Sequence, residues 1–167
     1  MSQIAALKME LTHELETTKR HFEQLGDADF AWKPHEKSMS LGQLAAHCVE
    51  SLAWADNMLH HDVFDFDPTS YTPPKASNVE ELLELVSETS KAAFDALDSA
   101  SDATLGEPWS MRINGNTVME MPKGAVFRSF ILSHLVHHRG QLTVYLRLLD
   151  IPLPQTYGPS ADNPMMG

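Results

Sequence analysis

Two histidines, His134 and His138, are four residues apart within a stretch whose apolar period predicts a helix. On an α-helix this spacing places both imidazoles on one face, about 6 Å apart along the axis. Two imidazoles in that relation can share one metal ion. The alternative is that both are core or interface histidines that hydrogen-bond to neighbouring groups. The pair therefore indicates a metal site without establishing one.

A third histidine, His47, lies in an apolar stretch of another predicted helix. Gln43 falls one turn before it and Glu50 nearly one turn after it, so polar partners share its face. An unpaired imidazole in apolar surroundings is costly, and a shared cation would satisfy all three rings. Three imidazoles from two helices leave a coordination position open, as in catalytic zinc sites. Imidazole also suits nickel, copper and ferrous iron, so the ligands do not fix the metal.

Several polar residues are candidates to support the ligands or to contact a substrate. Arg139, beside the proposed site, suits an anionic thiolate or a carboxylated substrate, and it is equally compatible with a surface or interface charge. We expect Tyr157 and the proline-rich tail to cover the mouth of the site. The pattern identifies no residue as catalytic. The full set of candidate contacts is Gln43, Glu50, Arg139, Gln141 and Tyr157.

The remaining histidines and the single cysteine fit a metal site less well. His137 is about 100° round the helix from His138 and is predicted to face elsewhere. Cys48 points away from its neighbour His47 and is predicted to be a small buried hydrophobic residue. Five other histidines are predicted to be solvated surface residues, namely His13, His21, His35, His60 and His61.

Four long helices are predicted from apolar residues that recur at spacings of three and four. Two of them begin with the pattern of a capping box, Ser40 with Gln43 and Asn78 with Glu81. The metal-ligand candidates lie on the second and fourth of these helices. The predicted helices cover residues 3–25, 41–61, 79–100 and 124–149.

The segments between the helices are of two kinds. Asn114-Gly115, between two short runs of strand-like residues, predicts a hairpin near 109–120. Residues 62–77 have three prolines and no helical period, and they are predicted to form a loop. We therefore expect an all-α fold, a four-helix bundle with long loops, in a single domain over residues 1–167. The tail over residues 150–167 is expected to be extended.

Charge and composition exclude several classes of function. The chain has 12 Lys and Arg against 23 Asp and Glu, and a formal net charge of −11. Such a chain repels phosphate backbones, so we expect no nucleic-acid partner. We find no secretory signal and no apolar run long enough to span a membrane, so a cytoplasmic location is expected. A single cysteine excludes an internal disulfide.

The last predicted helix is unusual because it lacks acidic residues and is apolar on most sides. A helix that is apolar on most sides must be buried on most sides. One small helical bundle rarely provides that cover from its own chain, and exposed apolar patches usually mark interfaces. We therefore expect a homodimer that uses this helix or its neighbour.

With these residues identified, the sequence resembles the DinB family, the DinB/YfiT-like metalloenzymes, over essentially its whole length. The specific part is His134-Leu135-Val136-His137-His138-Arg139-Gly140-Gln141 together with an upstream helical histidine. Supporting segments are 32–34, 40–47 and 145–160. The resemblance implies a four-helix bundle with a three-histidine site, and His47, His134 and His138 match the three ligand positions. Similar proteins are usually dimers that carry zinc or nickel.

The resemblance leaves two classes of function. Some branches of the family are transferases or isomerases that use a low-molecular-weight thiol, bacillithiol or mycothiol, and others resemble hydrolases. The first expectation is therefore an enzyme that acts on a small molecule at a divalent metal. The second is a non-catalytic dimeric scaffold that binds metal or acts as a stress-related binding protein.

Overall fold

A computed structural model describes residues 2–164, and the chain is mainly helical. The helices are α1 (Gln3–Glu23), α2 (Leu41–Glu50), α3 (Ala55–His60), α4 (Val79–Ser99), α5 (Lys123–Phe127) and α6 (His134–Leu148). Two 3₁₀ turns span Ser51–Trp54 and Thr104–Gly106, and a π-helical segment spans Arg128–Ser133. The strands are β1 (Val63–Asp65), β2 (Pro108–Ile113) and β3 (Asn116–Pro122).

The predicted starts of α2 and α4 are confirmed by their caps. The Ser40 hydroxyl accepts from the Gln43 N–H, and the Gln43 side-chain carbonyl accepts from the Ser40 N–H, at 3.2 and 2.8 Å. The Asn78 side chain accepts from the Glu81 N–H at 2.9 Å. These bonds satisfy N–H groups that have no partner inside the helix. The caps therefore set where the helix that carries His47 begins.

The predicted second helix is interrupted, because a 3₁₀ turn separates α2 from α3. Leu52, Ala55 and Met58 are buried in and after this turn and are three residues apart. That spacing is the repeat of a 3₁₀-helix, which has three residues per turn. The tighter turn thus keeps the apolar face of the chain directed at the core.

The last predicted helix contains a π-helical segment between α5 and α6. Val126 and Ile131 are buried and five residues apart, and so are Phe127 and Leu132. Five residues is the hydrogen-bond span of a π-helix. The wider turn keeps the buried faces of α5 and α6 in line, so it sets the rotation at which α6 presents His134.

The predicted hairpin is confirmed as β2 and β3, which pair antiparallel with Ile113 opposite Asn116. Asn114 and Gly115 form the turn with φ of 52° and 76°. Positive φ at both central residues is the requirement of a type I′ turn.

A third strand corrects the all-α prediction. Residues 62–77 were predicted as a loop, but β1 pairs parallel with β2, with Val63 opposite Ser110. A three-residue strand is too short to show an alternating pattern in the sequence. The fold is therefore mainly helical with a small mixed sheet, in the order β1-β2-β3.

The helices that carry the candidate ligands lie directly against each other. α2 packs on α6 and on α4, and α1 packs on α4 and α6. Leu44 and Ala45 of α2 and Leu135 and Leu142 of α6 are buried in one continuous core. This packing brings two histidine-bearing helix faces together.

The ends of the chain complete the description. Residues 151–164 contain no helix or strand. The predicted extended tail reaches residue 167, and its last three residues lie outside the described part. Within residues 2–164, no helix is both long enough and apolar enough to cross a membrane.

Candidate metal centre

His47, His134 and His138 converge between α2 and α6. The ring centroid of His47 lies 4.8 Å from that of His134 and 4.3 Å from that of His138. The ring centroids of His134 and His138 are 4.3 Å apart. One nitrogen from each ring lies within 4.8 Å of the other two. An ion about 2.1 Å from each nitrogen needs separations no greater than about 4.2 Å, which is close to this arrangement. The group is thus compatible with a divalent metal.

Each of the three rings has its Nδ1 atom directed at a polar group of the protein. A ring that donates from Nδ1–H keeps the lone pair of its Nε2 available for a metal. A carboxylate and an amide carbonyl can only accept from such an N–H. The contacts are His47 Nδ1 to Glu50 Oε1 at 3.1 Å, His138 Nδ1 to Gln141 Oε1 at 2.8 Å and His134 Nδ1 to Ser51 Oγ at 3.4 Å.

The surroundings also favour the uncharged form of the rings. Burial, with the neighbouring imidazoles His138 and His47, lowers the pKa of His134 to about 4. Burial likewise lowers the pKa of His138, against the opposing hydrogen bond to Gln141. Only a neutral imidazole can ligate a metal. Both residues are therefore in the ligating form at neutral pH.

Glu50 carries negative charge next to this cluster. Burial alone would raise the pKa of Glu50, but the hydrogen bonds from His47 and Tyr71 outweigh it and lower the pKa. The Tyr71 hydroxyl donates to Glu50 Oε1 at 2.8 Å, while the buried Oε2 has no hydrogen-bond partner among the described residues. No lysine or arginine of the described residues forms an ion pair with this carboxylate. A cation held by the three rings would supply the missing positive charge.

Two of these supporting residues were missed in the sequence. Ser51 is one turn after His47, so the helical period could have indicated it. Tyr71 lies in the segment that the sequence indicated only as a loop, and it follows β1 in the chain. No sequence pattern connects Tyr71 with Glu50.

Gln43 has the capping role predicted for it, and among the described residues no hydrogen bond joins its side chain to a ligand histidine. Its side chain closes the capping box at the start of α2. By contrast, the predicted neighbours Glu50 and Gln141 are found beside His47 and His138.

Arg139 and Tyr157 belong to a separate polar network on another side of α6. Arg139 is only 1% exposed; its guanidinium forms an ion pair with Glu14 Oε2 at 2.7 Å and donates to the Tyr157 hydroxyl at 2.7 Å. It also donates to the Thr18 hydroxyl at 3.2 Å. The Tyr157 hydroxyl donates in turn to Glu14 at 2.8 Å. The structure thus places Arg139 and Tyr157 in contact with α1 and with each other.

His21 corrects a second prediction, since it is fully buried rather than solvated. Its Nδ1–H donates to the Thr17 carbonyl at 2.8 Å, and its Nε2 accepts from the Thr156 hydroxyl at 3.1 Å. Burial lowers its pKa. The threonines that contact His21 look like surface residues in the sequence, and one of them, Thr156, belongs to the tail.

The other predictions for titratable residues agree with the structure. Cys48 is buried, and burial raises the pKa of its thiol to about 12. His137 is exposed and is not part of the converging group, although its ring makes an edge-to-face contact with that of His138. The four remaining predicted surface histidines are exposed, namely His13, His35, His60 and His61.

Comparison with known proteins gives a consistent assignment. The chain is 26% identical over 150 residues to the uncharacterized protein YrdA of Bacillus subtilis strain 168, which covers 89% of this chain and 84% of that protein. The fold of this chain is similar to that of a DinB-like protein from Bacillus cereus ATCC 10987, with a TM-score of 0.70 and 22% identity. The match covers 94% of this chain and 100% of the other.

A second solved structure has the same fold. The DinB-like protein YjoA from Bacillus subtilis gives a TM-score of 0.67 and 20% identity, covering 95% of this chain and 99% of the other. The model of the DinB family matches residues 1–165. Because this match covers nearly the whole chain, it shows that the chain belongs to the DinB family.

Proposed function

We propose that His47, His134 and His138 hold a divalent metal ion, zinc or nickel, and that the protein is a metal-dependent enzyme acting on a small molecule. The observation that carries this proposal is the use of all three Nδ1 atoms by the protein, which leaves three Nε2 atoms for one ion. A set of three neutral nitrogens suits both metals.

The residues around the ligands have defined tasks in this proposal. Glu50 and Gln141 accept the Nδ1–H protons of His47 and His138 and so hold the rings in the ligating tautomer. The Glu50 carboxylate also offsets part of the ion's charge. Three protein ligands leave room for a small molecule at the ion, which would lower the pKa of a bound water or thiol. The proposed reactions are thiol-dependent transfer, with bacillithiol or mycothiol, and hydrolysis.

A non-catalytic, dimeric metal-binding or stress-related scaffold is the second candidate. One observation favours it: Arg139 and Tyr157, the predicted substrate contacts, are bonded to Glu14 instead. A scaffold would hold its ion without an exchangeable position. Water-proton relaxation of the nickel-loaded protein distinguishes the two candidates, because only an open position exchanges water rapidly.

We also propose a homodimer in which α6 provides part of the interface. Val144 and Leu148 are one turn apart on α6 and are 57% and 58% exposed. Paired exposed apolar side chains on a helix favour association with a second copy. The four-helix bundle, the single domain over residues 1–167 and the cytoplasmic location also remain proposals. Light scattering at micromolar concentration tests the dimer, and a monomer mass would contradict it.

The test of the enzyme proposal combines metal content with activity. Elemental analysis of the purified chain should find close to one zinc or nickel per protomer. A panel of electrophilic and hydrolysable substrates, with bacillithiol or mycothiol as the thiol, should show turnover that chelation removes and added metal restores. Bound metal without any turnover, and without exchangeable water, would leave the scaffold as the better conclusion.

A further inference from the structure

A second concave site lies behind Glu50, on the side of α4. The cavity has a volume of about 380 Å³ and lies between the Ser51–Trp54 turn, α4 and the segment that carries Tyr71. Trp54, Tyr71 and Leu85 line it, and none of the three proposed metal ligands does. Cavities of this size with mostly apolar walls are typical of small-molecule sites. The cavity is therefore distinct from the space between the three imidazoles.

The charged groups of this cavity are of one sign. Glu50 and Glu88 line it, and no lysine, arginine or histidine is among its described lining residues. Glu50 is 7% exposed, and its buried Oε2 atom has no hydrogen-bond partner among residues 2–164. The negative field of an incompletely paired, poorly solvated carboxylate extends into the adjoining space. The cavity is thus favourable to a cation and unfavourable to an anion.

The aromatic side chains add a second preference for cations. The rings of Trp54 and Tyr71 are 5.8 Å apart at an interplanar angle of 75°, so they form a corner of the cavity. Phe66 supports this corner from outside the lining, 5.4 Å from Tyr71 and 6.0 Å from Trp54. A cation near the faces of such rings is attracted by their quadrupoles, and aromatic sites of this kind bind quaternary ammonium groups.

We propose that the cavity between the Ser51–Trp54 turn and α4 binds a small organic cation that carries an aromatic or other apolar group. The cationic head would lie between Trp54, Tyr71 and the glutamates, and the apolar body would lie against Leu85 and its neighbours. Binding here needs no metal at the histidine cluster. Glu50 adjoins both places, but the proposal does not rest on the proposed enzymatic function.

The direct test is calorimetric titration of the full chain with benzyltrimethylammonium. This probe has no lone pair and no N–H, so it cannot ligate a metal at the histidines. Benzyl alcohol and phenylacetate serve as neutral and anionic probes of similar size. We expect the cation to bind at least tenfold more tightly than the alcohol, and phenylacetate more weakly still. Equal affinity for the three probes, or no binding of the cation at millimolar concentration, would overturn the proposal.

Two variants locate the binding. Glu88→Gln changes an exposed residue of the cavity rim and should weaken cation binding several-fold, while Glu84→Gln, one turn earlier on α4 and outside the lining, should not. Trp54→Leu should weaken binding about tenfold or more, by loss of the aromatic face. Unchanged affinity in both Glu88→Gln and Trp54→Leu would refute the assigned position.

The His134→Ala variant separates this site from the metal site. It removes a proposed metal ligand that does not line the cavity, so cation affinity should stay within twofold of the unaltered chain. Loss of cation binding in this variant, with the fold intact by circular dichroism, would show that the probe depends on the histidine cluster, and would end the proposal of a separate site.

Discussion

The helix α6 carries two polar groups on different sides, and they differ in how completely the protein satisfies them. On one side His134 and His138 face His47; within residues 2–164 their Nε2 atoms have no hydrogen-bond partner, and neither has Oε2 of the neighbouring Glu50. On the other side Arg139 forms three hydrogen bonds and an ion pair with Glu14, which join α1 and the tail to α6. The contrast indicates that the first group has nitrogen and oxygen atoms available to a ligand, whereas the second stabilises the packing of α1 and the tail against α6.

The largest expected effect is on metal binding. Replacing His134 by Ala removes one of three ligands and should lower zinc affinity by about 100-fold or more, beyond the 10–100-fold typical of losing a supporting partner. Stability of the metal-free chain should change by no more than about 1 kcal/mol, because the ring is only part-buried. Competition with a chromophoric chelator gives the affinity.

The neighbouring histidine is the matched control for this prediction. His137→Ala changes an exposed ring outside the converging group and should leave zinc affinity near that of the unaltered chain. If His137→Ala lost the metal and His134→Ala kept it, the choice of ligands would be wrong.

The next effect concerns stability and should fall on the other side of α6. Arg139→Ala leaves the buried Glu14 without its charged partner, and breaking a buried ion pair in this way typically costs about 3–5 kcal/mol. Urea unfolding measures this loss. Arg128→Ala is the control, since its ion pair with Glu10 is exposed and should contribute no more than about 1 kcal/mol. Similar losses of stability in the two variants would contradict the conclusion that Arg139 stabilises the packing of α6 against α1 and the tail.

A smaller effect is expected from Glu50→Gln. The amide keeps an acceptor for the His47 N–H but loses the charge, so zinc affinity should fall by about 10–100-fold. Glu16→Gln, an exposed glutamate on α1, should have no effect. Unaltered affinity in Glu50→Gln would mean that the buried carboxylate does not support the ion.

The smallest effect is expected from Tyr157→Phe. This change removes one hydroxyl that joins Arg139 to Glu14, and it should cost about 1–2 kcal/mol in urea unfolding without altering zinc affinity. Tyr145→Phe, whose hydroxyl bonds an exposed carbonyl at 3.2 Å, should cost less. A change in metal affinity in Tyr157→Phe would show that the Arg139 network and the histidine cluster are not independent of each other.

Local patterns account for what the sequence predicted well. Capping pairs, apolar periods and an Asn-Gly turn act over a few residues, and they correctly predicted the starts of α2 and α4 and the β2–β3 hairpin. The four-residue spacing of His134 and His138 is of the same kind. The meeting of His47 with this pair needed the packing of α2 on α6, which the family resemblance implied and local spacing alone does not.

The features that were missed depend on contacts between distant segments. β1 has three residues and exists because β2 offers it an edge, and Tyr71 reaches Glu50 only from the segment after β1. His21 is buried, and its Nε2 accepts a hydrogen bond from Thr156 in a tail more than a hundred residues away. Arg139 adjoins His138 in the chain, but one residue on a helix is a rotation of about 100°, which turns it toward Glu14.

The π-helical segment has a consequence for comparing this chain with its relatives. A π turn takes about one residue more than an α turn, so Arg128–Ser133 accommodates about one residue more than a regular α-helix would. A relative whose corresponding helix is regular throughout needs one residue fewer there to keep the same rotation toward α2. The gap in a correct alignment should then fall within residues 128–133. It should not fall between His134 and His138, because their four-residue spacing places both rings on one face of α6.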